Sequence, residues 1–520
     1  MALNLSRNTK VFVSAGNGMH ASGGSLLSVD AITAGSGHAV GDVITLSNGV
    51  KVIVKTVNGS GGVTSIALPN NFRGTGISDG AGLAQSATTG SGTGFDCDAD
   101  GVSSLTSEGS RAGTGLFKGN GTAANTFKMG VLDGYSFSQS SESTDVTINE
   151  AGATPSRGSK RFNDSLAPAE WSFSTYVRPF KHGANSNRGT GVHDMCENIL
   201  WAAIAGKDIT GGALSGTSAT AVTCDSTDAD VSFVRSDHHE LLKLSIFFVM
   251  ENTTYRLNEC QVNQAEIDFS IDGIATIAWS GNATTIDQVT TAIEDPSKVL
   301  TTDGTTDAAD TSGTYAEGYN YVDTTGSSDA DYLRNKLSTL SLVHKVTGSG
   351  ATEALSVATS GTTNKEYQIN ITGGSLTIAN NITYLTPETL GVVDTPIGSF
   401  SGSRQISGSL TMYLNTTGFG GTGNGSNHLL SDLTKATDLV NTEFDMSIFM
   451  GGASSDTPVV EFDIGKAHLQ IPSIETADII SSTVEFAAQG TDLSTGNELA
   501  VKYKGSTTHS DSAYTTDVTV

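Results

Sequence analysis

The chain of 520 residues carries 28 Lys and Arg against 54 Asp and Glu, a net charge of −26, with 37% hydrophobic residues, 61 Gly and 9 Pro. At roughly 150 residues per domain that length predicts three to four domains. The charge is too sparse for wholesale disorder, the acidic balance excludes a duplex binder held by Lys and Arg on phosphates, and a chain rich in Gly, Thr and Val disfavours a helical bundle.

Residues 1–20 read as an N-terminal arm or strand. Met1 to Lys10 hold no apolar core, so no signal peptide is expected. No stretch approaches the roughly 18 apolar residues of a membrane helix. Residues 21–110 are Gly/Ser/Thr/Val-rich. Asp42–Leu46, Val50–Val54 and Val63–Ile66 predict short strands, joined by Ser47-Asn48-Gly49 and Asn58-Gly59-Ser60-Gly61-Gly62 turns. This stretch reads as a small inserted β domain. Residues 284–330 are rich in Asp, Thr and Gly (Asp303, Asp307, Asp310, Asp323, Asp329) and predict a loop or linker. Residues 505–520 predict a mobile tail. Cys97, Cys196, Cys224 and Cys260 share no CxxC spacing and read as free or buried thiols of a soluble protein made in a reducing cytosol.

The two remaining segments, 111–283 and 331–504, resemble each other. Ser245-Ile246-Phe247-Phe248 matches Ser447-Ile448-Phe449-Met450, an offset of 447 − 245 = 202, and Ala265, Ile267 and Phe269 then fall on Ala467, Leu469 and Ile471. Ser172–Val177 resembles Ser409–Leu414. Each segment also holds one helix candidate, with Met195, Ile199 and Ala202 on one stripe and Leu429, Leu433, Ala436 and Val440 on the other.

Acidic residues follow a period of two. In Glu266 to Asp272, Ile267, Phe269 and Ile271 are expected to line a core while Glu266, Asp268, Ser270 and Asp272 face water. Val460 to Ile464 repeats the pattern with Glu461 and Asp463 outward. Thr144 to Glu150 repeats it with Asp145, Thr147 and Asn149 opposite Val146 and Ile148, and Glu485 stands between Val484 and Phe486. Any half-exposed antiparallel strand turns polar residues outward. The near absence of Lys and Arg among them is the unusual part, because ordinary surfaces mix both signs. Such a face would let a phosphate polymer pass without sticking.

Candidate chemistry is sparse. His193-Asp194-x-Cys196 offers three metal-ligand types, but Asp194 fits a helix start, and His238 and His239 point to opposite faces of a strand. No GxSxG, HExxH, P-loop or EF-hand pattern occurs. No catalytic, cofactor or metal residue is assigned.

Several segments together carry a family likeness. They are Arg7–Ser14, Asp145–Gly152, Arg157–Leu166, Ala169–Tyr176, Cys260–Glu266, Asn380–Pro387 and Ile474-Glu475-Thr476. The chain resembles the tail tube proteins of long flexible-tailed bacteriophages, specifically the duplicated type of T5-like siphophages, over about 7–16, 127–283 and 331–495. The resemblance implies a mainly β (α+β) fold of two tandem tail-tube modules, 111–283 and 331–504, each an antiparallel β-sandwich with a flanking helix. Three chains would then supply six modules to a pseudo-sixfold ring carrying 3 × (−26) = −78 formal charges. Stacked rings would form the hollow tube through which DNA is ejected. The implied partners are further copies of the chain, the tape measure protein and DNA in the lumen without sequence-specific binding, and tail terminator and baseplate proteins. No membrane and no cofactor are implied, and the location is the virion tail after synthesis in the host cytoplasm. The 21–110 insertion lies outside the family core and would decorate the tube. Asp145, Asn149, Glu266, Asp268, Asp272, Glu461, Asp463 and Glu485 are the expected lumen or ring-contact residues. The alternatives are a surface adhesive or glycan-binding β protein, suggested by 21–110, and then a polysaccharide-degrading enzyme.

Overall fold

The computed structural model describes residues 8–15, 26–47, 50–67, 77–78, 80–102, 126–147, 159–177, 181–182, 193–194, 197–205, 222–224, 228–233, 241, 243–251, 253–289, 319–321, 333–344, 365–385, 396, 398–417, 424–434, 444–453, 459–475, 479–490 and 496–504. These residues are mainly strand, with two α-helices.

In chain order, β1 (Thr9–Ala15) is followed by β2 (Leu26–Ser36), β3 (Val43–Leu46), β4 (Lys51–Val57), β5 (Val63–Ala67), β6 (Gly82–Thr88) and β7 (Thr93–Val102). Next come β8 (Thr126–Met129), β9 (Ser136–Ser138), β10 (Ser141–Thr147), β11 (Ser159–Leu166), β12 (Ala169–Tyr176), β13 (Lys181–His182), β14 (His193–Asp194) and α1 (Asn198–Ala205). Then follow β15 (Val222–Cys224), β16 (Asp228–Ser232), β17 (Leu244–Met250), β18 (Thr253–Asp268), β19 (Thr276–Ala283), β20 (Thr285–Val289) and β21 (Tyr319–Tyr321). The later half holds β22 (Thr339–His344), β23 (Lys365–Tyr367), β24 (Ile371–Ala379), β25 (Ile382–Leu385), β26 (Gly398–Ser401), β27 (Gln405–Tyr413) and α2 (Ser426–Leu433). It ends with β28 (Phe444–Met450), β29 (Val459–Leu469), β30 (Ser473–Glu475), β31 (Ser481–Ala488) and β32 (Ala500–Lys504).

Strands β2 to β7 form a separate six-stranded sheet in the order β2-β7-β6-β3-β4-β5, with its own apolar cluster of Ile44, Val52, Val54, Leu83 and Phe95 among others. The β4–β5 turn needs glycine. Gly61 sits at φ +74°, and a Cβ there would stand 2.7 Å from the Gly37 backbone nitrogen.

Twenty of the other strands join one sheet system, while β10–β11, β13–β14 and β25–β26 form separate two-stranded ladders. In the earlier half, β17 lies between β1 and β18, β18 pairs with β20 along its first part and β19 along its second, and β19 continues to β12 and then β9. In the later half, β28 lies between β22 and β29, β29 pairs with β32 and β31, and β31 continues to β27 and then β24. Every one of these pairings is antiparallel. The two halves fuse where residues 264–268 of β18 pair with 375–379 of β24, and again where β16 pairs with β32. One apolar cluster runs beneath both halves, from Val11 to Tyr503.

Strand formation follows the alternation. In β12 (AEWSFSTY) Ala169, Trp171, Phe173 and Thr175 are buried while the residues between them are open. Helix α1 (NILWAAIA) is apolar on all sides, and Ile199 to Ala205 are all fully buried, as an all-apolar helix must be. Trp201 within it donates its indole N–H to Tyr503 Oη of β32 at 3.0 Å. Helix α2 is amphipathic and buries Leu429 and Leu433.

Three expectations are corrected and one falls on residues that are not described. Asp194 starts no helix: His193 and Asp194 pair with His182 and Lys181 in a two-strand ladder, and the helix begins four residues beyond Asp194. Met195, Ala436 and Val440 of the expected helical stripes lie outside the described residues. The 284–330 stretch is not all loop, since β20 pairs with β18, and β21 runs parallel to β8. Ile271 does not line the core. The strand ends at Asp268, whose carboxylate accepts the Ser270 N–H, and the turn through Gly273 at φ +124° leaves Ile271 exposed.

Two glycines mark the tightest strand contacts. A Cβ on Gly408 would lie 2.1 Å from Ser375 O and 2.6 Å from the Phe486 ring, and one on Gly281 would lie 2.0 Å from Gln261 O and 2.8 Å from the Trp171 ring. Aromatic rings thus cover bare backbone on the neighbouring strand. Replacing Gly408 with Ala is expected to cost ~1–3 kcal/mol in chemical denaturation. Gly465→Ala in β29, where a Cβ meets nothing within 4 Å, should stay within ~0.5 kcal/mol.

Candidate functional site

The fused sheet presents one open face made by residues 136–138, 169–176, 264–268, 276–283, 375–379, 405–413, 473–475 and 481–488. None of these segments contains a Lys or Arg. They contain five carboxylates, Glu170, Glu266, Asp268, Glu475 and Glu485, and all five are exposed. Most of the rest of the face is small and polar, because the strands turn most apolar residues inward and Ser, Thr and Asn outward, with Tyr413 and Ile474 the large exposed exceptions.

Registers arrange these side chains in rows across the strands. Asp268 stands opposite Ser375, Ser375 opposite Ser409, and Ser409 opposite Glu485. The next row runs from Ala278 through Glu266, Thr377, Ser407 and Ala487 to His468 of β29, with Lys466 beside Gln489 in the row after. Another runs from Ser136 through Ser172 and Ser280 to Gln264. Hydroxyls bridge neighbours, Ser136 with Ser172 at 2.8 Å, Ser375 with Ser409 at 3.3 Å and Thr411 with Thr483 at 3.3 Å. A polar hollow of 310 Å³ opens between Ser138, Glu170, Ser280 and Asn282. The buried Trp171 indole N–H at its wall has no hydrogen-bond partner.

Four paired cations stand elsewhere. Lys504 pairs with Glu461 at 2.7 Å, Arg404 with Glu498 at 2.7 Å, Lys243 with Glu259 at 2.9 Å and Arg256 with Asp287 at 3.5 Å. Charge is thus largely sorted by position: the strands across the middle of the face carry carboxylates without Lys or Arg, and its rows end at β29 on His468 and Lys466.

The structure divides the eight expected residues. Glu266, Asp268 and Glu485 lie on the open face of the fused sheet. Glu461 and Asp463 lie on β29 before its bend, where Glu461 stands opposite Lys502 of β32. That surface carries both signs. Asp145 sits in the β10–β11 hairpin and receives the Arg161 guanidinium at 2.8 Å, which holds its carboxyl below the usual range. Asp272 is exposed in the turn beyond β18, and Asn149 lies outside the described residues. Glu170 and Glu475 were missed by sequence reasoning, although the alternation Ala169-Glu170-Trp171 and the exposed position of Glu475 beside Ile474 carried the same signal.

Nothing on this face resembles a reaction centre. Among the described residues no group of three or more His, Cys, Asp or Glu could hold a metal ion. Cys97 and Cys260 are buried free thiols. Burial, with Asp96, Asp98 and Asp30 nearby, pushes the Cys97 thiol up to about 11, so it stays protonated. Among the described residues no helix is long and apolar enough to cross a membrane.

No protein-family model matches the chain. It is 37% identical over 375 residues to the tail tube protein pb6 of Escherichia phage T5, an alignment covering 72% of this chain and 70% of that protein.

Half-burial pushes the Asp463 carboxyl above its ordinary value, with the Ser447 hydroxyl at 3.0 Å pulling the other way and Asp445 and Glu461 adding to the rise. The folded protein therefore binds this proton more tightly than the unfolded chain, so stability falls as pH rises through the window between the two values. Asp463→Asn should flatten that fall and be more stable than the parent at neutral pH, with the difference vanishing in acid. Denaturant midpoints across pH measure it.

Proposed function

The chain belongs to the tail tube proteins of T5-like siphophages, and from that premise we propose that three copies close into a ring of six modules whose bore is the open face of the fused sheet. It acts as a structural virion protein and assembles with itself. The run of exposed carboxylates on 169–176, 264–268, 473–475 and 481–488, segments without Lys or Arg, carries this reading.

Matching pairing schemes support two modules per chain. The first runs β1, β17, β18 with β20, then β19, β12 and β9. The second runs β22, β28, β29 with β32, then β31, β27 and β24. Each contains a short hairpin before its central strand, β10–β11 in one and β25–β26 in the other, and a helix after it. Bulges fall at the same places. One separates Leu244 from Ile246 opposite Cys260 and Leu257, the other Phe444 from Met446 opposite Ala467 and Ile464. These registers align Leu244 with Phe444 (444 − 244 = 200) and Cys260 with Ala467 (467 − 260 = 207), replacing the uniform 202 of the sequence match. The Ser172 to Ser409 match keeps its register, since Trp171 faces Gly281 where Gly408 faces Phe486. The same cross-strand pair is filled large-to-small in one half and small-to-large in the other.

Each module then packs two antiparallel sheets about a shared core with one helix against it, the architecture of a β-sandwich. A conduit needs a wall that does not hold its cargo. Carboxylates repel DNA phosphates within a screening length of about 8 Å at physiological salt, and small hydroxyls add no cation to bind them. The tape measure protein would occupy the same bore before DNA, and terminator and baseplate proteins would cap the ends. The β2–β7 unit, with its separate core, would stand outside the tube as decoration.

Mass measurement of assembled particles should give multiples of three chains, and multiples of six without three would contradict the arrangement. Asp268→Lys with Glu485→Lys should leave tubes assembled and slow genome ejection several-fold. The same charge change at Asp30 of the β2–β7 unit should not, because that unit would stand outside the tube.

A further inference from the structure

Resting on the ring reading, we infer that the joint between chains copies the joint inside the chain, with edge strand β30 of one copy pairing antiparallel to edge strand β9 of the next in one defined register, Ser473 opposite Ser138 and Glu475 opposite Ser136.

The template is the pairing of β18 with β24, where Glu266 faces Thr377 and Asp268 faces Ser375. Register identifies the counterparts. Glu266 stands opposite Ala278 of β19, and Ser473 stands opposite Thr483 of β31, which places Ser473 at the Glu266 position and Glu475 at the Asp268 position. On the other side, Ser172 of β12 faces Ser136, and Ser409 of β27 faces Ser375, which places Ser136 at the Ser375 position and Ser138 at the Thr377 position.

Both counterparts are bare in a single chain. Ile267, covered by the joint, is 0% exposed, whereas Ile474 at the same position is 49% exposed. Gln261 is 5% exposed, while its counterpart His468 is open. Ser136 and Ser138 are open where Ser375 and Thr377 are half-covered. An edge strand with an exposed isoleucine is a template for another strand. The occupant is a second copy of this chain, because only that copy carries the complementary bare edge, and a head-to-tail contact of this kind closes into a ring.

The hairpin beside the joint extends the parallel. Within the chain, β25–β26 reaches back across the seam: Ile382 N–H donates to Asn263 Oδ1 at 2.8 Å, Tyr384 Oη to Asn282 O at 3.2 Å, and Ser399 to the Gln261 side chain. By register with Phe400 and Phe162, Asp145 and Arg161 of β10–β11 take the Tyr384 and Ser399 places. In the next copy they meet Lys466 and His468. The seam within a chain is thus closed by neutral hydrogen bonds and the seam between chains by charged groups.

The side chains of Glu266 and Thr377 lie at a pair that exchanges no backbone hydrogen bonds, since Phe269 N–H donates to Gly374 O three register positions away and hydrogen-bonded pairs alternate with non-bonded ones. Such pairs bring Cβ atoms within disulfide reach. The double variant Ser138→Cys, Ser473→Cys, made in the full chain and oxidised after assembly, should run as covalent species of up to three chains. Ser136→Cys with Ser473→Cys, two residues out of register, should stay as single chains. Particles of three-chain mass with no cross-link from the matched pair, or with the mismatched pair linking better, overturn this pairing and leave the ring standing. Particles of one-chain mass at every concentration overturn the ring and this pairing together. Ile474→Asp should abolish assembly while leaving the circular dichroism of the single chain unchanged, and unimpaired assembly overturns the inference.

Discussion

Backbone hydrogen bonding between residues 264–268 and 375–379 is the constraint on which the rest of the molecule depends. Without it each half is an antiparallel unit with two raw edges, and unpaired edge groups are costly when covered and adhesive when open. With it, strands from both halves lie in one sheet, and their outward side chains form a single surface. The seam also sets what may stand on either side. Ala265 and Ile267 meet Ile378 and Leu376 beneath the sheet, while Glu266 and Asp268 meet Thr377 and Ser375 above it. Asn380, itself buried, donates to Ile204 O at 3.0 Å and ties the seam to the end of helix α1.

The second contact between halves works through packing. Trp201 of α1 stacks edge-on against Trp279, approaches Phe462 and Tyr503, and hydrogen-bonds the Tyr503 hydroxyl. A helix from the earlier half thus fills the core of the later one. Such a core resists sliding of one half on the other, because a displaced indole leaves a void lined by rings and an unpaired N–H. A conduit wall made of two units benefits from this stiffness, since the open face keeps its registers only while the units stay aligned.

Much of the strand content was legible in the sequence because a period of two is a local property. Trp171 and Phe173 alternate with Ser172 and Ser174, and Ile267 alternates with Glu266 and Asp268, so burial follows directly. The sign of a face was not legible. Glu461 and Asp463 alternate as cleanly as Glu266 and Asp268, yet Lys502, some forty residues later, lies across from Glu461 and Lys504 pairs with it, while no cation lies directly across from Glu266 or Asp268. Cross-strand neighbours are long-range facts. The same holds for edges, for Ile474 and Ile267 share a local pattern and differ only in what lies beside them. The stripe through Ile199 and Ala202 located helix α1 but missed its burial, because Ile199 to Ala205 are covered all round and show no polar face. The turn at Asp268 was hidden by a perfect alternation that runs on to Asp272.

The most direct test is electron cryo-microscopy of assembled material at side-chain resolution. The account predicts a bore walled by unbroken antiparallel strands, with Glu266, Asp268, Glu475 and Glu485 projecting into it and Lys504 away from it. A bore lined by the β28–β29–β32 surface, or sheets that break between 264–268 and 375–379, would contradict it.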